Sequence, residues 1–248
     1  MQGTVQFIVG GSGAIGSALA RRLAERGATL VIAGRDRGRL EEAAGPSGAE
    51  VRVLDATDFD AMDHAVREVS ERHGRLDGAT NLAGSILLKP ASSTSFEEYA
   101  RTVAQNLTSA FALVRSATRA MSAPDQTGGG SVVLLASAAA RTGLANHDAI
   151  AAAKAGVIGL TLAAAATGAP RGVRVNCVAP GLVRTPMAAR LTANEASLKA
   201  SSAMHPLGRI GEPDEVARAI EWLLDPASVW VTGQVIGVDG GLGTLRPR

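Results

Sequence analysis

Cysteine is almost missing. Cys177 is the only one in 248 residues, which excludes an intrachain disulfide and any zinc or iron–sulfur site built from a cysteine cluster. The four histidines and the acids form no ligand-spaced group, so no metal site is expected. Neither charge sign dominates: 25 Lys and Arg against 23 Asp and Glu leave a formal +2. These charges are dispersed, which gives nucleic-acid binding no electrostatic footprint. No stretch of about 18 apolar residues free of charge occurs, so a membrane span is not expected. Met1-Gln2-Gly3-Thr4 leads straight into an apolar run without a charged n-region and cleavage site, so a secretory leader is not expected either. Aromatics make up only 3%. A chain of this length buries a sufficient core without staples, and the expectation is a soluble, cytoplasmic protein.

Glycine is plentiful, with 29 residues, and short β-branched runs alternate with longer helical patterns. Strands are expected at 4–9, 29–33, 51–54, 76–82, 131–135, 173–178 and 235–238. Helices are expected at 15–26, 39–44, 58–73, 96–121, 148–167 and 213–224, with a Gly/Pro-rich loop at 122–130. Strands alternating with helices call for a parallel sheet covered on both faces. No linker or repeat divides the chain. The predicted fold is α/β, a single doubly wound Rossmann domain over residues 1–248, with a mostly parallel sheet of about seven strands. A lid over a substrate is expected at about 187–207.

Gly10-Gly11-Ser12-Gly13-Ala14-Ile15-Gly16 follows the first strand and opens a helix. Glycines there permit tight turning and bring backbone N–H groups toward a pyrophosphate, and the helix dipole favours its charge. In isolation the pattern is also an ordinary strand-to-helix turn; its position within a βαβ unit points to a dinucleotide. The second strand ends Ala33-Gly34-Arg35, so glycine fills the slot of the carboxylate that would hold the ribose hydroxyls of NAD. The Arg35 guanidinium can instead pair with a 2′-phosphate, which favours NADP(H) over NAD(H), although a surface role for Arg35 is the alternative. Asp36 is expected to face solvent or Arg37.

These motifs, with Asp55, Asn81-Leu82-Ala83-Gly84, Asn106-Leu107-Thr108, Ser137, Lys154, Pro180-Gly181, Thr185-Pro186 and Val238-Asp239-Gly240-Gly241 in order, resemble the short-chain dehydrogenase/reductase family from about Thr4 to Gly243. The tenor is similar to bacterial acyl-carrier-protein ketoreductases. The resemblance implies a carbonyl reductase or alcohol dehydrogenase. It also implies cofactor contacts from Gly10, Ser12, Gly13, Ile15, Gly16, Arg35, Asp55, Ala56, Asn81, Ala83, Gly84, Lys154, Pro180, Gly181, Val183 and Thr185. Of the family's catalytic Asn, Ser, Tyr and Lys, the resemblance assigns Asn106, Ser137 and Lys154, but the tyrosine position, four before the lysine, is Ile150. Tyr99, the only tyrosine, lies far from that motif in sequence.

Three replacements for the missing acid are open. His147, three residues before Ile150, would share its helix face and could donate as an imidazolium; otherwise it is a helix-start loop residue. Water held by Ser137 and Lys154 is the second, and a substrate or reaction needing no protein acid is the third. His64, His73 and His205 read as solvated or packed, and Asp239 as satisfying backbone donors in its turn. The leading functional expectation is an NADPH-dependent reductase of a small-molecule carbonyl with an altered proton donor, Ile150 standing in the tyrosine position. A cofactor-binding, non-catalytic subunit of a mixed oligomer and a non-redox enzyme are the alternatives. The family implies assembly through the long helices and last strand, with a homotetramer expected.

Overall fold

The computed structural model describes residues 1–123 and 129–246. Of the loop expected at 122–130, residues 124–128 lie outside the described residues. Among the described residues seven strands form one sheet in the order β3-β2-β1-β4-β5-β6-β7, parallel throughout. They are β1 (Val5–Val9), β2 (Thr29–Gly34), β3 (Glu50–Val53), β4 (Gly78–Asn81), β5 (Gly130–Leu135), β6 (Val173–Pro180) and β7 (Val235–Val238). The helices are α1 (Ala14–Glu25), α2 (Arg37–Ala44), α3 (Phe59–His73), α4 (Phe96–Val103), α5 (Ser109–Met121), α6 (Asp148–Gly168), α7 (Glu195–Met204) and α8 (Pro213–Leu224).

Alternation along the strands divides the core in two. Phe7, Val9, Val31 and Val132 face one way and pack with residues of α3, α5 and α6. Ile8, Ile32 and Val133 face the other and pack with α1, α2 and α8. The central strands are therefore buried on both sides, which is why the β1 sequence reads as a continuous run instead of an alternating one. The strand order reverses between β1 and β4, and ligands of open α/β sheets bind beyond the carboxyl ends of the strands at such a switch point.

Several boundaries depart from the sequence expectation. The helix expected from 96 to 121 is broken by a widened π turn at Ala104–Thr108. Asp36 is exposed to solvent, as expected, and also caps α2, accepting a hydrogen bond from the Arg39 amide at 3.1 Å, while Arg37 pairs with Glu41. The expected lid comprises a short helical turn, Pro186–Leu191, followed by α7. One described helix, 148–171, has the length and the mean hydropathy, 1.8, of a membrane span. It lies against β6 and buries Ala149, Ala153, Val157, Thr161 and Ala165, and it carries Lys154 on the same face, the pattern of a core helix.

Candidate active site and cofactor groove

The glycine loop is shaped by what a side chain would strike. Gly10 has φ +79°, and a Cβ there would lie 2.7 Å from the Ala83 amide nitrogen. A Cβ on Gly16 would meet the Gly10 carbonyl oxygen at 2.5 Å, so this residue seats α1 on the loop. The α1 N-cap is Gly13, which provides no side-chain cap, and the first turn has no acid. That leaves the positive end of the helix open to an anion. Ile15 is half-buried and packs against the α1/α2/α8 core.

From this loop a groove of about 210 Å³ runs past Gly34, Arg35, Asp36 and Arg39, then Asp55 and Ala56, to Ala83, Gly84 and Met187. Hydrogen bonds from the Thr57 amide (2.9 Å) and hydroxyl (2.8 Å) hold the Asp55 carboxyl below its usual range, with the Arg35 charge a lesser contribution. Arg39 had no place in the sequence reading of the site. Folding α2 back over the end of β2 sets it beside Arg35. Asn81 uses both side-chain ends internally: Oδ1 accepts from the Ala83 amide (3.0 Å), and Nδ2 donates to Ser109 Oγ (2.9 Å). It braces the loop that carries Ala83 and Gly84.

Asn106 lies inside the π turn and is buried. Widening displaces the regular i→i−4 ladder, and the Asn106 side chain takes over part of it: Nδ2 donates to the Thr102 carbonyl (2.9 Å) and to Ser85 Oγ (3.1 Å). Oδ1 accepts from the Ser85 amide at 3.3 Å. A Cβ on Gly84 would stand 2.8 Å from Asn106 Oδ1 and 3.7 Å from Lys154 Nζ. The fold thus gathers three predicted residues, on β4's exit, the π turn and α6, around one point.

Lys154 is 7% exposed, and its Nζ donates to the Leu135 carbonyl at 2.7 Å, one residue beyond the last β4–β5 pair. Burial pushes its ammonium down to about 8, opposed by the neighbouring Cys177. The Cys177 thiol is raised to about 11 by the same burial. Ser137 accepts from the Ala139 amide at 3.2 Å, so its hydroxyl hydrogen remains available to an acceptor. Ile150, one turn before Lys154, is buried and brings only hydrocarbon.

Asn146, at φ 63°, is the only non-glycine residue with positive φ among the described residues; asparagine tolerates this conformation better than most. The bend leaves His147 at the α6 N-cap, with Nδ1 2.7 Å from the Ala145 carbonyl. A carbonyl can only accept, so Nδ1 carries the hydrogen and Nε2 is left to exchange a proton. Tyr99, remote from the motif in sequence, shares a groove with Asp148 and Ala149 at the start of α6 and is half-exposed.

Beyond β6, Pro180 is buried as the last strand residue. Gly181 follows, and Val183 bridges Gly211. Thr185 caps the next helical turn through the Ala188 amide. Arg184 pairs with Glu212 at 3.1 Å, while Arg190 is exposed. Asp239 accepts from the Gly241 and Gly243 amides, the structural part expected of it. Among the described residues no cluster of His, Cys, Asp and Glu could hold a metal.

An all-parallel sheet with a glycine loop, a helix end free of capping acid and a groove at the switch point defines a Rossmann-type fold with a site suited to a dinucleotide. Residues 10–243 match the family described as enoyl-(acyl carrier protein) reductase, and the chain belongs to the short-chain dehydrogenase/reductase family. It is similar to the 3-oxoacyl-(acyl-carrier-protein) reductase of Thermotoga maritima, 35% identical with 98% of each chain covered. It is also similar to the cis-4-hydroxycyclohexanecarboxylate dehydrogenase of Sinomonas cyclohexanicum, 37% identical over 96% of this chain and 95% of that one. Among solved structures, a short-chain dehydrogenase/reductase from Mycobacterium ulcerans superposes with a TM-score of 0.91 at 33% identity, covering 99% of this chain and 92% of that one. A variant actinorhodin polyketide ketoreductase with NADPH gives 0.90 at 29%, with 98% of each chain covered. The chain is thus an oxidoreductase-type member whose homologues act on CH–OH and C=O groups.

Proposed function

We propose that the protein is an NADPH-dependent carbonyl reductase, running as an alcohol dehydrogenase in reverse, whose proton donor is not a tyrosine. The observation that carries this reading is the meeting of Gly84, Asn106 and Lys154 at the end of the groove that starts on the glycine loop. The uncapped α1 N-terminus, with glycines that leave no room for a Cβ, fits a pyrophosphate. Arg35 and Arg39 beside Gly34 fit a 2′-phosphate, because a planar guanidinium pairs with phosphate oxygens. The ketoreductase with NADPH among the similar structures agrees with that preference. Asp55 and Ala56 would border the adenine, and Pro180, Gly181, Val183 and Thr185 would border the nicotinamide side. A bound nicotinamide supplies the hydride.

The protein's own groups then hold the carbonyl oxygen. The free hydrogen of Ser137 binds it, and the Lys154 ammonium, protonated at neutral pH, favours negative charge nearby. His147 gives the proton, its Nδ1–H backed by the Ala145 carbonyl so that Nε2 is the exchanging atom. The small and apolar residues of 187–207 suit a hydrophobic, medium-sized carbonyl compound. The reading is tested by NADPH oxidation with a broad ketone panel: turnover is expected, and tight NADPH binding without turnover of any ketone sinks it.

The buried hydrocarbon of Ile150 favours a second reading, a cofactor-binding subunit or non-redox enzyme that keeps the pocket and not the chemistry. It predicts copurification with an active relative, or product formation with no net change in NADPH. We further place the protein in the cytoplasm as a homotetramer. Phe96, Phe111 and Leu162 on the long helices are exposed, as are Trp222 and Trp230 next to the last strand, Trp230 by 97%. Faces of this kind are covered by partners, and sedimentation of the purified protein decides the stoichiometry.

A further inference from the structure

His205 stands where three connections meet. It follows α7 directly, its ring is 2% exposed, and both ring nitrogens are engaged. Nδ1 lies 2.7 Å from the Ser201 carbonyl in the last turn of α7. Nε2 accepts from the Leu182 amide at 3.1 Å. A carbonyl only accepts and an amide N–H only donates, so the pair fixes the ring as neutral with its hydrogen on Nδ1.

The surroundings are built around that ring. A Cβ on Gly181 would meet His205 Nε2 at 2.6 Å, and one on Gly240 would meet its Cβ at 3.4 Å. The Gly181 amide donates to the Val238 carbonyl and the Leu207 amide to the Gly240 carbonyl. The exits of β6, α7 and β7 are therefore joined at one imidazole, and two of the hydrogen bonds pass through its side chain.

We propose that His205 is a positioning residue: its neutral ring locks the Leu182 amide, and with it the 181–183 loop, to the last turn of α7. This rests on the proposed cofactor site for its purpose, since that loop borders the nicotinamide side in the reductase reading. The hydrogen-bond relay itself is measurable without turnover. Loop and α7 move as one unit, because an unpaired amide is costly and Leu182 keeps its partner only while α7 holds the ring in place.

Two substitutions separate the two ring nitrogens. In His205→Gln the side-chain oxygen reaches the Nε2 position and can still accept from Leu182. In His205→Asn the amide nitrogen takes the Nδ1 position, retaining the Ser201 contact and losing Leu182. Hydrogen exchange at the Leu182 amide is expected to accelerate roughly 10-fold in His205→Asn, with exchange across 186–204 rising too. NADPH affinity is expected to weaken by several-fold in the same variant, whereas His205→Gln stays within about 3-fold of wild type on each measure. Equal behaviour of the two variants overturns the proposal. Nitrogen NMR of the unmodified protein gives a check free of any folding defect: a ring protonated on Nδ1 and bare on Nε2 is expected, and the opposite tautomer or a charged ring overturns it. Absence of ketone turnover touches the reductase reading and leaves these measurements unchanged.

Discussion

The β1–α1–β2 half and the β5–α6 half of this protein are built on different principles. In the first, recognition comes from backbone: glycines that nothing else can replace, a helix end without a cap, and strand ends that open a groove. Charged side chains enter only past the end of β2, as Arg35, Asp36 and Arg39. In the second, everything depends on individual side chains delivered from distant segments, namely Asn106 from a π turn, Ser137 after β5 and Lys154 within α6. The first half tolerates little change without losing its shape. In the proposed reading the second exchanges one side chain, at Ile150, and keeps its architecture while its chemistry shifts. A binding scaffold and a proton-transfer site can therefore diverge separately on one sheet.

The sharpest way to probe that separation is to introduce a phenol. Ile150→Tyr is expected to raise ketone reduction by roughly 100-fold or more, the contribution of a well-placed general acid, with NADPH affinity unchanged. The larger ring will cost about 1–3 kcal/mol of overpacking, so a melting curve accompanies the assay. No gain from a folded variant that binds NADPH shows that the β5–α6 half lacks more than its acid. His147→Ala should reduce the native turnover by about 100-fold, and the double variant with Ile150→Tyr should recover it. A His147→Ala enzyme at full activity removes the imidazole from the proposed chemistry.

Gly16→Val attacks the other half. Its Cβ would stand 2.5 Å from the Gly10 carbonyl, so NADPH affinity should fall at least roughly 100-fold, the order expected when several contacts to one ligand shift together. Calorimetric titration measures it; binding that survives means the loop has more slack than its contacts indicate.

The Lys154 ammonium links the halves through stability. Its folded-state value of about 8 lies below the 10.5 of an exposed lysine. Between these values the unfolded chain holds a proton that the folded chain has released, so stability rises with pH across that window. Below the window the charged form destabilises the fold by about 3 kcal/mol. Lys154→Met should flatten the rise between pH 8 and 10.5, as followed by urea unfolding. A slope that persists in the variant must come from another group. The smallest effect is expected from Arg35→Ala: about a 10-fold loss in preference for NADPH over NADH, one charge-assisted contact's worth, with Arg39 retaining the remainder. Equal affinities for the two dinucleotides in the unmodified protein contradict the phosphate assignment.

Much of the architecture was legible in the chain. Strand and helix periodicity placed α8 and β7 at their observed limits, and the order of motifs led to the family. What escaped was local competition between partners. Asp36 faces solvent as expected, but its hold on the Arg39 amide was not legible, because capping depends on where the helix begins. The 96–121 helix read as unbroken because its apolar spacing hardly changes across a π turn, whereas the Asn106 side chain replaces part of the backbone ladder there. Arg39 was overlooked since only the fold of α2 brings it alongside Arg35, and His205 was indistinguishable from any packed histidine before proline.

Sequence by itself determined the parallel sheet, the glycine loop after β1 and the hydrocarbon four residues before Lys154. These are written in neighbouring residues, where periodicity and backbone sterics act over a few positions. Tertiary structure alone decided that Lys154 loses its water, that Gly84 lies between it and Asn106, and that His205 ties three separate connections together. Desolvation and hydrogen-bond pairing depend on segments far apart in the chain, and no local pattern of residues encodes which of them will meet.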